Sequence, residues 1–193
     1  MTVAHQEFRL GAYLRADLER QHALLTSGST PLPTGLRLWL GAASPRFIPV
    51  MLCRLAHQFH VLRLSPFAKA VALINFFLFG IEVASRCPIG PGLFLPHTQG
   101  TVIGAWRIGS GATIFQGVTL GAREVDFSYA EASRPVLGDG VTIGSGAKVL
   151  GAVTIGNRSR VGANSVVLSD VPSDVVAAGA PARVVKSLPT GTA

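Results

Sequence analysis

Aliphatic residues recur at every sixth position through the second half of the chain. Leu137, Ile143, Val149, Ile155, Val161 and Val167 are consecutive members of the series. A small or branched residue follows each of them four places later: Val141, Ala147, Val153, Ser159, Ser165 and Val171. Val102, Ile108, Ile114 and Leu120 form an earlier run with the same spacing, and Ile89 and Leu95 begin a third. Glycine often stands directly after the aliphatic residue, as at Gly109, Gly144 and Gly156. A spacing of six matches neither the period of an α-helix, about 3.6, nor the strict alternation of a flat sheet.

The pattern is that of a parallel β-helix, in which each hexapeptide is one short strand and a turn. The aliphatic side chain points inward and the small residue four places on fits beside it. Glycine at the corner permits backbone angles that a Cβ resists. One coil cannot bury its own face, so coils must stack, and neighbouring coils complete each other's backbone hydrogen bonds. Most of the repeated Gly, Val and Ile residues are therefore scaffold.

Two interruptions break the register. A slip of one residue falls between Leu95 and Val102, across Pro96-His97-Thr98-Gln99-Gly100. A longer break, 121–136, carries Arg123, Glu124, Asp126, Tyr129, Glu131 and Arg134 and reads as an excursion loop. Loops on a rigid scaffold are where function concentrates, so both breaks are candidate site walls.

The first part of the chain follows a different pattern. Glu7 to Thr26 reads as an amphipathic helix, with Leu10, Leu14, Leu18 and Leu25 near one face and Arg15, Asp17, Glu19 and Arg20 elsewhere. Ser27 to Leu36 is a Pro/Gly linker. Leu38 to Leu40, Phe47 to Leu64 and the helix candidate Ala68 to Val83 are strongly apolar. The last is too short to cross a bilayer, which takes about 20 apolar residues. Two readings stay open. The helices pack on one another and on a neighbouring subunit, or they rest on a membrane surface with Arg46, Arg54, Arg63 and Lys69 near the headgroups. The expected organisation is a helical region, 1–80; a β-helix domain, 81–186, with its excursion loop; and a disordered tail, 187–193. By fold class the chain is expected to be mostly β.

Composition narrows the partners. The net charge is +7, and residues 1–80 hold eight Lys/Arg against three Asp/Glu. A basic chain suits anionic partners: a phosphorylated cofactor, nucleic acid or an anionic membrane. No cluster of Lys/Arg with interleaved aromatics is present, which argues against nucleic acid. The mean hydropathy of +0.43 requires that partners or lipid cover much of the surface. Two cysteines, Cys53 and Cys87, make no disulfide framework and read as small core residues. His57 and His60 form an i,i+3 pair without further ligands nearby, so no metal is expected. Met1 to Glu7 lacks a signal-peptide pattern, and a cytoplasmic protein is expected.

His97 is the one histidine of the β-helix region and, two places after the inward Leu95, should point outward at the slip. Imidazole is well suited to take a proton from a hydroxyl near neutral pH. A carboxylate beside it would fix its tautomer, and Glu82, 15 residues upstream, lies about one coil away. No Ser or Cys is set up as a nucleophile, which favours direct attack by an activated acceptor.

These residues carry a resemblance. Gly90 to Val185 resembles the hexapeptide-repeat acyltransferases, most of all their serine acetyltransferase branch. The matching segments are Ile114-Phe115-Gln116-Gly117-Val118-Thr119-Leu120-Gly121, the run from Ile143 to Gly151, and Ala178-Gly179-Ala180-Pro181-Ala182-Arg183-Val184-Val185. The resemblance implies a left-handed β-helix, a homotrimer with active sites between subunits, and acetyl-CoA as co-substrate. It implies His97 as catalytic base and Glu82 as its carboxylate partner. Thr119, Gly121, Ala147 and Ala163 match the neighbourhood of the pantetheine arm, Arg183 and Lys186 could meet the nucleotide phosphates, and Arg134 and Gln116 stand at substrate-binding positions. Two departures bear on the acceptor: Pro96 replaces an Asp before the base, and Arg134 replaces a His before Pro135. With the short hydrophobic helices, they resemble the colanic-acid and exopolysaccharide acetyltransferases. The expectation is therefore O-acetylation of a sugar hydroxyl on a surface-polysaccharide intermediate. L-serine O-acetylation is the alternative, and a non-catalytic β-helix that binds a glycan or protein is the alternative of another class.

Overall fold

The computed structural model describes residues 8–31, 33–35 and 40–189. Three long helices come first: α1 (Leu10–Thr26), α2 (Ile48–Val61) and α3 (Ser65–Phe79). Pro49 and Pro66 stand in the first turns of α2 and α3, where the missing N–H has no intrahelical partner to lose. Gly80, at φ 63°, closes α3 in the left-handed conformation, and the chain passes directly into the first strand. Glu7, Leu36 and Leu38, which the sequence reading included, lie outside the described residues.

Thirteen short strands follow: β1 (Ile81–Val83), β2 (Thr101–Ile103), β3 (Arg107–Ile108), β4 (Thr113–Ile114), β5 (Thr119–Gly121), β6 (Val136–Leu137), β7 (Thr142–Ile143), β8 (Lys148–Leu150), β9 (Thr154–Ile155), β10 (Arg160–Val161), β11 (Val166–Val167), β12 (Val175–Gly179) and β13 (Ala182–Ser187). They form three sheets. Sheet A runs β1-β2-β5-β8-β11, sheet B β3-β6-β9, and sheet C β4-β7-β10-β12-β13. Every pairing is parallel except β12 with β13. The chain visits the three sheets in turn, an arrangement consistent with a left-handed β-helix. The helices hold 17, 14 and 15 residues, more than all the strands together, so the expected mostly-β class is corrected to a helical layer on a β-helix.

The inward column is the one that the spacing predicts. Leu137, Ile143, Val149 and Ile155 have no exposed surface, and neither do Val141, Ala147 and Ser159 beside them. Each such aliphatic side chain contributes roughly 1.5–3 kcal/mol on burial. Ser159 and Ser165 are tolerated inside because each accepts a backbone N–H, from Val175 and Gly179, at 3.2 Å.

The slip near His97 resolves differently from the expectation. Val102 is half-buried and points outward; Ile103, 1% exposed, is the inward residue and pairs with Leu120. The net slip of one thus hides two opposite events. From Leu95 to Ile103 there are two residues too many, and from Ile103 to Ile108 one too few. The surplus sits in the corner that carries His97.

The helical layer is fixed to the prism by a buried ion pair. Asp17 and Arg54 are 0% and 2% exposed. Arg54 Nε and Nη2 donate to the two Asp17 carboxylate oxygens, each at 2.9 Å. Asp17 Oδ1 also accepts the Leu93 N–H at 2.7 Å, and Arg54 donates to the carbonyls of Ile89 and Gly90. This corrects two expectations: Asp17 does not belong to a solvated helix face, and Arg54 cannot reach lipid headgroups. Arg20 adds a second tie, from Nη2 to Thr113 Oγ1 at 3.0 Å.

The tail expectation is corrected at its start. Ser187 is the last residue of β13, and the Leu188 N–H donates to the Asp174 carbonyl at 2.7 Å. Residues 190–193 lie outside the described set.

Candidate active site

His97 is held out from the prism by its own corner. The ordinary corner between sheets C and A is short, as in Phe115-Gln116-Gly117. In the next coil Gln99 and Gln116 are level, since the Gly117 N–H donates to the Gln99 carbonyl. Between Leu95 and Gln99 stand three residues, Pro96, His97 and Thr98, where Phe115 stands alone. The bulge is pinned on the C-terminus of α3: Thr98 Oγ1 donates to the Phe79 carbonyl at 2.7 Å and the Gly100 N–H to the Gly80 carbonyl at 2.9 Å. Thr98 is buried and His97 is exposed. The same Gly80 turn launches β1, so Glu82 emerges on the segment next to the bulge. Glu82 is also exposed, and no hydrogen bond or ion pair joins it to His97 among the described residues. The fold brings the two segments together and leaves the side chains apart.

Below Glu82 the outer face of sheet A continues through register partners. Glu82 pairs with Val102, Val102 with Thr119, and Thr119 with Lys148. Strands stand about 4.8 Å apart, so Thr119 is about 10 Å and Lys148 about 15 Å down the column from Glu82. Lys148 was missed by the sequence reading. Its Nζ donates to the Gly117 carbonyl at 2.5 Å, which leans this cation across the corner beneath His97. A signal existed: the residue before inward Val149 must face out, on the strand beside Thr119.

The corner itself is nearly bare of side chains. Gly100, Gly117 and Gly146 stack at φ 70–71°. At φ 71° Gly146 holds a backbone conformation that a residue with a Cβ adopts only under strain. Gln116 projects at this corner, and its Oε1 is covered and without a hydrogen-bond partner. Ala163 is exposed further down the corner, and Gly121 is half-buried at the root of the excursion loop. Ala147 does not belong with them. It is wholly buried as the small inward residue after Ile143, so its side chain cannot touch a bound cofactor.

Arg183 and Lys186 lie three apart on β13, which in a regular strand would separate their faces. A β-bulge opposite Val176/Ala177 restores the alignment, pairing Arg183 with Ala178 and Lys186 with Val176. Val175 and Ala177 point inward, so both cations stand on the outer face of sheet C. Arg160 joins them there, since it too pairs with Val176. A flat, small-residue corner with cations at its far end fits a long uncharged arm that ends in phosphates, the shape of acetyl-CoA.

The excursion loop is an ordered device built on Asp126. Its carboxylate accepts from the Ser128 and Ser133 hydroxyls, each at 2.6 Å, from backbone N–H groups of residues 128–130, and from Arg134 Nε at 3.0 Å. These bonds, the Ser128 hydroxyl's first, hold its pKa well below the usual carboxylate range. Arg134 also donates to the Gly104 and Asp126 carbonyls and lies 4.0 Å over the Tyr129 ring. Arg134 therefore clasps the loop, and this commitment argues against the expected substrate-binding role. A recess of about 570 Å³, lined by Arg123, Glu124, Val125 and Asp126 with Gly151 and Ala152, opens beyond the C-terminal ends of β5 and β8. The His57 Nδ1–H donates to the Ser85 carbonyl at 2.8 Å, and no group of three or more potential metal ligands occurs among the described residues. Cys53 and Cys87 are buried, and burial pushes both thiols up to about 12.

Comparison with known proteins adds the chemistry. Residues 134–169 match the model of the bacterial transferase hexapeptide (six repeats). A serine acetyltransferase of Helicobacter pylori is 42% identical over 126 residues, 64% of this chain and 72% of that protein. Among solved structures, the Neisseria gonorrhoeae serine acetyltransferase matches with a TM-score of 0.77 at 30% identity, over 94% of this chain and 67% of that one. That enzyme has also been solved in complex with serine. The Brucella abortus serine acetyltransferase in complex with coenzyme A matches with a TM-score of 0.77 at 29% identity, over 93% and 68%. These findings overturn the expectation of a polysaccharide sugar as acceptor. They equally fail to support a layout nearest to the exopolysaccharide enzymes, because the match to serine acetyltransferases takes in the helices as well as the prism.

Proposed function

The chain belongs to the hexapeptide-repeat acyltransferase family, with serine acetyltransferases among its relatives, and from that premise we propose that it transfers the acetyl group of acetyl-CoA to the hydroxyl of L-serine. The observation that carries the reading is the 42% identity to a serine acetyltransferase, joined to a lone imidazole held out at the head of a small-residue corner. In the proposed reaction His97 accepts the proton of the serine hydroxyl as that oxygen attacks the thioester carbonyl. The carbon–sulfur bond then breaks, and the proton passes from the imidazolium to the departing thiolate, giving O-acetylserine and coenzyme A. Glu82 orients the imidazole once its exposed carboxylate swings toward it, and Gln116 supplies an acceptor to the amino acid once its covered Oε1 turns outward. Thr119, Gly121 and Ala163 border the pantetheine arm, with Arg183 and Lys186 toward its phosphates.

Pro96 and Arg134 remain departures from the serine-binding pattern. A missing ion pair to the amino acid removes a charge-assisted contact of about 1.5–3 kcal/mol, which raises KM without changing the chemistry. We place the reaction in a homotrimer of left-handed prisms, with the open side of His97 closed by a neighbouring subunit. The test is an acceptor screen with acetyl-CoA and thiol detection, run beside complementation of a cysteine auxotroph. Turnover with L-serine and growth of the auxotroph are expected. Absence of both, with acetyl-CoA bound, contradicts the proposal.

A further inference from the structure

The α2–α3 hairpin presents an apolar surface that the fold leaves uncovered. At its tip Leu62 is 55% and Phe67 59% exposed; along α3 the exposure is 54% at Leu73, 47% at Ile74, 74% at Phe77 and 66% at Leu78. Only Ala68 and Asn75 of α3 are buried. A helix that is apolar on its outward side as well needs a further cover. Cations stand among these residues. Arg63 occupies the turn between the helices in the left-handed conformation, at φ 60°, and Lys69 lies in the first turns of α3; both are exposed. No acidic residue occurs between Glu19 and Glu82.

We propose that this hairpin docks the protein on an anionic lipid bilayer, with the tip and the outer face of α3 in the interface and Arg63 and Lys69 at the headgroups. Charge complementarity selects lipid over a second copy of this chain. A basic face needs free carboxylates opposite it, and among the described residues only Glu82, Glu124 and Glu131 are exposed without a partner, none of them on α1, α2 or α3. Asp17 is buried against Arg54, Asp126 is saturated within its loop, Asp174 is paired with Arg158, and Asp139 and Asp170 accept backbone N–H groups. An anionic leaflet supplies the missing charge and takes apolar side chains beneath it. No helix of the described residues is long and apolar enough to cross a membrane, so the contact is peripheral. The bulge that carries His97 is hydrogen-bonded to the end of α3, so docking would set the proposed site near the bilayer surface.

The test is flotation of the whole protein with phosphatidylcholine vesicles, with and without phosphatidylglycerol, beside its solution mass by light scattering. The protein should float with the anionic vesicles and not with the neutral ones. Each cation near an anionic surface is worth about fivefold in binding, so R63Q with K69Q should weaken flotation roughly 25-fold. Leu62→Ser with Phe67→Ser should also abolish flotation, while solution mass and turnover with free L-serine hold. The charge variants keep the question open to test if the apolar ones fail to fold. No flotation with anionic vesicles, equal flotation with neutral ones, or a fall in solution mass in the tip variants would overturn the proposal; the last would assign the face to a subunit contact.

Discussion

Replacing Asp17 with Ala should separate the helical layer from the prism. The substitution removes both acceptors of the Arg54 fork and the acceptor of the Leu93 N–H. It leaves a guanidinium 2% exposed, with only the carbonyls of Ile89 and Gly90 to face. Breaking a buried ion pair from one side costs about 3–5 kcal/mol, because the remaining charge is not rehydrated. For a chain of this length the melting temperature should fall by about 6–20 °C, at 2–4 °C per kcal/mol. Calorimetry and urea unfolding followed by far-ultraviolet circular dichroism give the loss. The cycle with Arg54→Ala is the sharper control: the double variant should lose less than the sum of the single losses by about 2–3 kcal/mol. A loss below about 1 kcal/mol for Asp17→Ala, or additive losses in the cycle, would refute the claim that this pair joins the two layers.

Asp126→Ala should loosen the excursion loop without unfolding the prism, seen as faster proteolytic cleavage within residues 121–136 at an unchanged melting temperature. Because the folded pKa of Asp126 is depressed, its stabilisation of the loop is complete above the ordinary carboxylate value of 3.8 and is lost as pH falls through the lower folded value. Cleavage should therefore accelerate only in strong acid. Burial lowers the His57 pKa below its ordinary 6.5, so the folded chain binds fewer protons than the unfolded one just below that pH. Stability should fall as pH drops from 6.5 through the lowered value, and His57→Gln should flatten that slope. Arg183→Ala with Lys186→Ala should raise the KM for acetyl-CoA about tenfold or more and affect the dephospho analogue less; an equal effect would remove the phosphate contact.

The prism was legible because its driving force is local in sequence. Each inward residue from Leu137 to Val167 announces itself by spacing, and all are buried. Where two opposite irregularities nearly cancelled, spacing misled: Val102 fitted the period and Ile103 took the inward place. Ala147 shows the reverse, since its spacing already marked it as inward while a family motif suggested a cofactor contact. The 15-residue separation of Glu82 and His97 placed their segments together, because Gly80 anchors both, but it could not fix two exposed side chains. Asp17 and Arg54 were unreadable as partners. They are 37 residues apart on different helices, and a lone charge on an amphipathic helix reads as solvated until its partner is in place.

The central claim is that His97 takes the proton of an attacking hydroxyl, and its most direct measurement is the steady-state turnover of His97→Ala with acetyl-CoA and L-serine, beside the affinity for coenzyme A by calorimetry. Turnover should fall roughly 10²–10⁴-fold while coenzyme A binds as before. Unchanged turnover in a variant that still binds coenzyme A would contradict it.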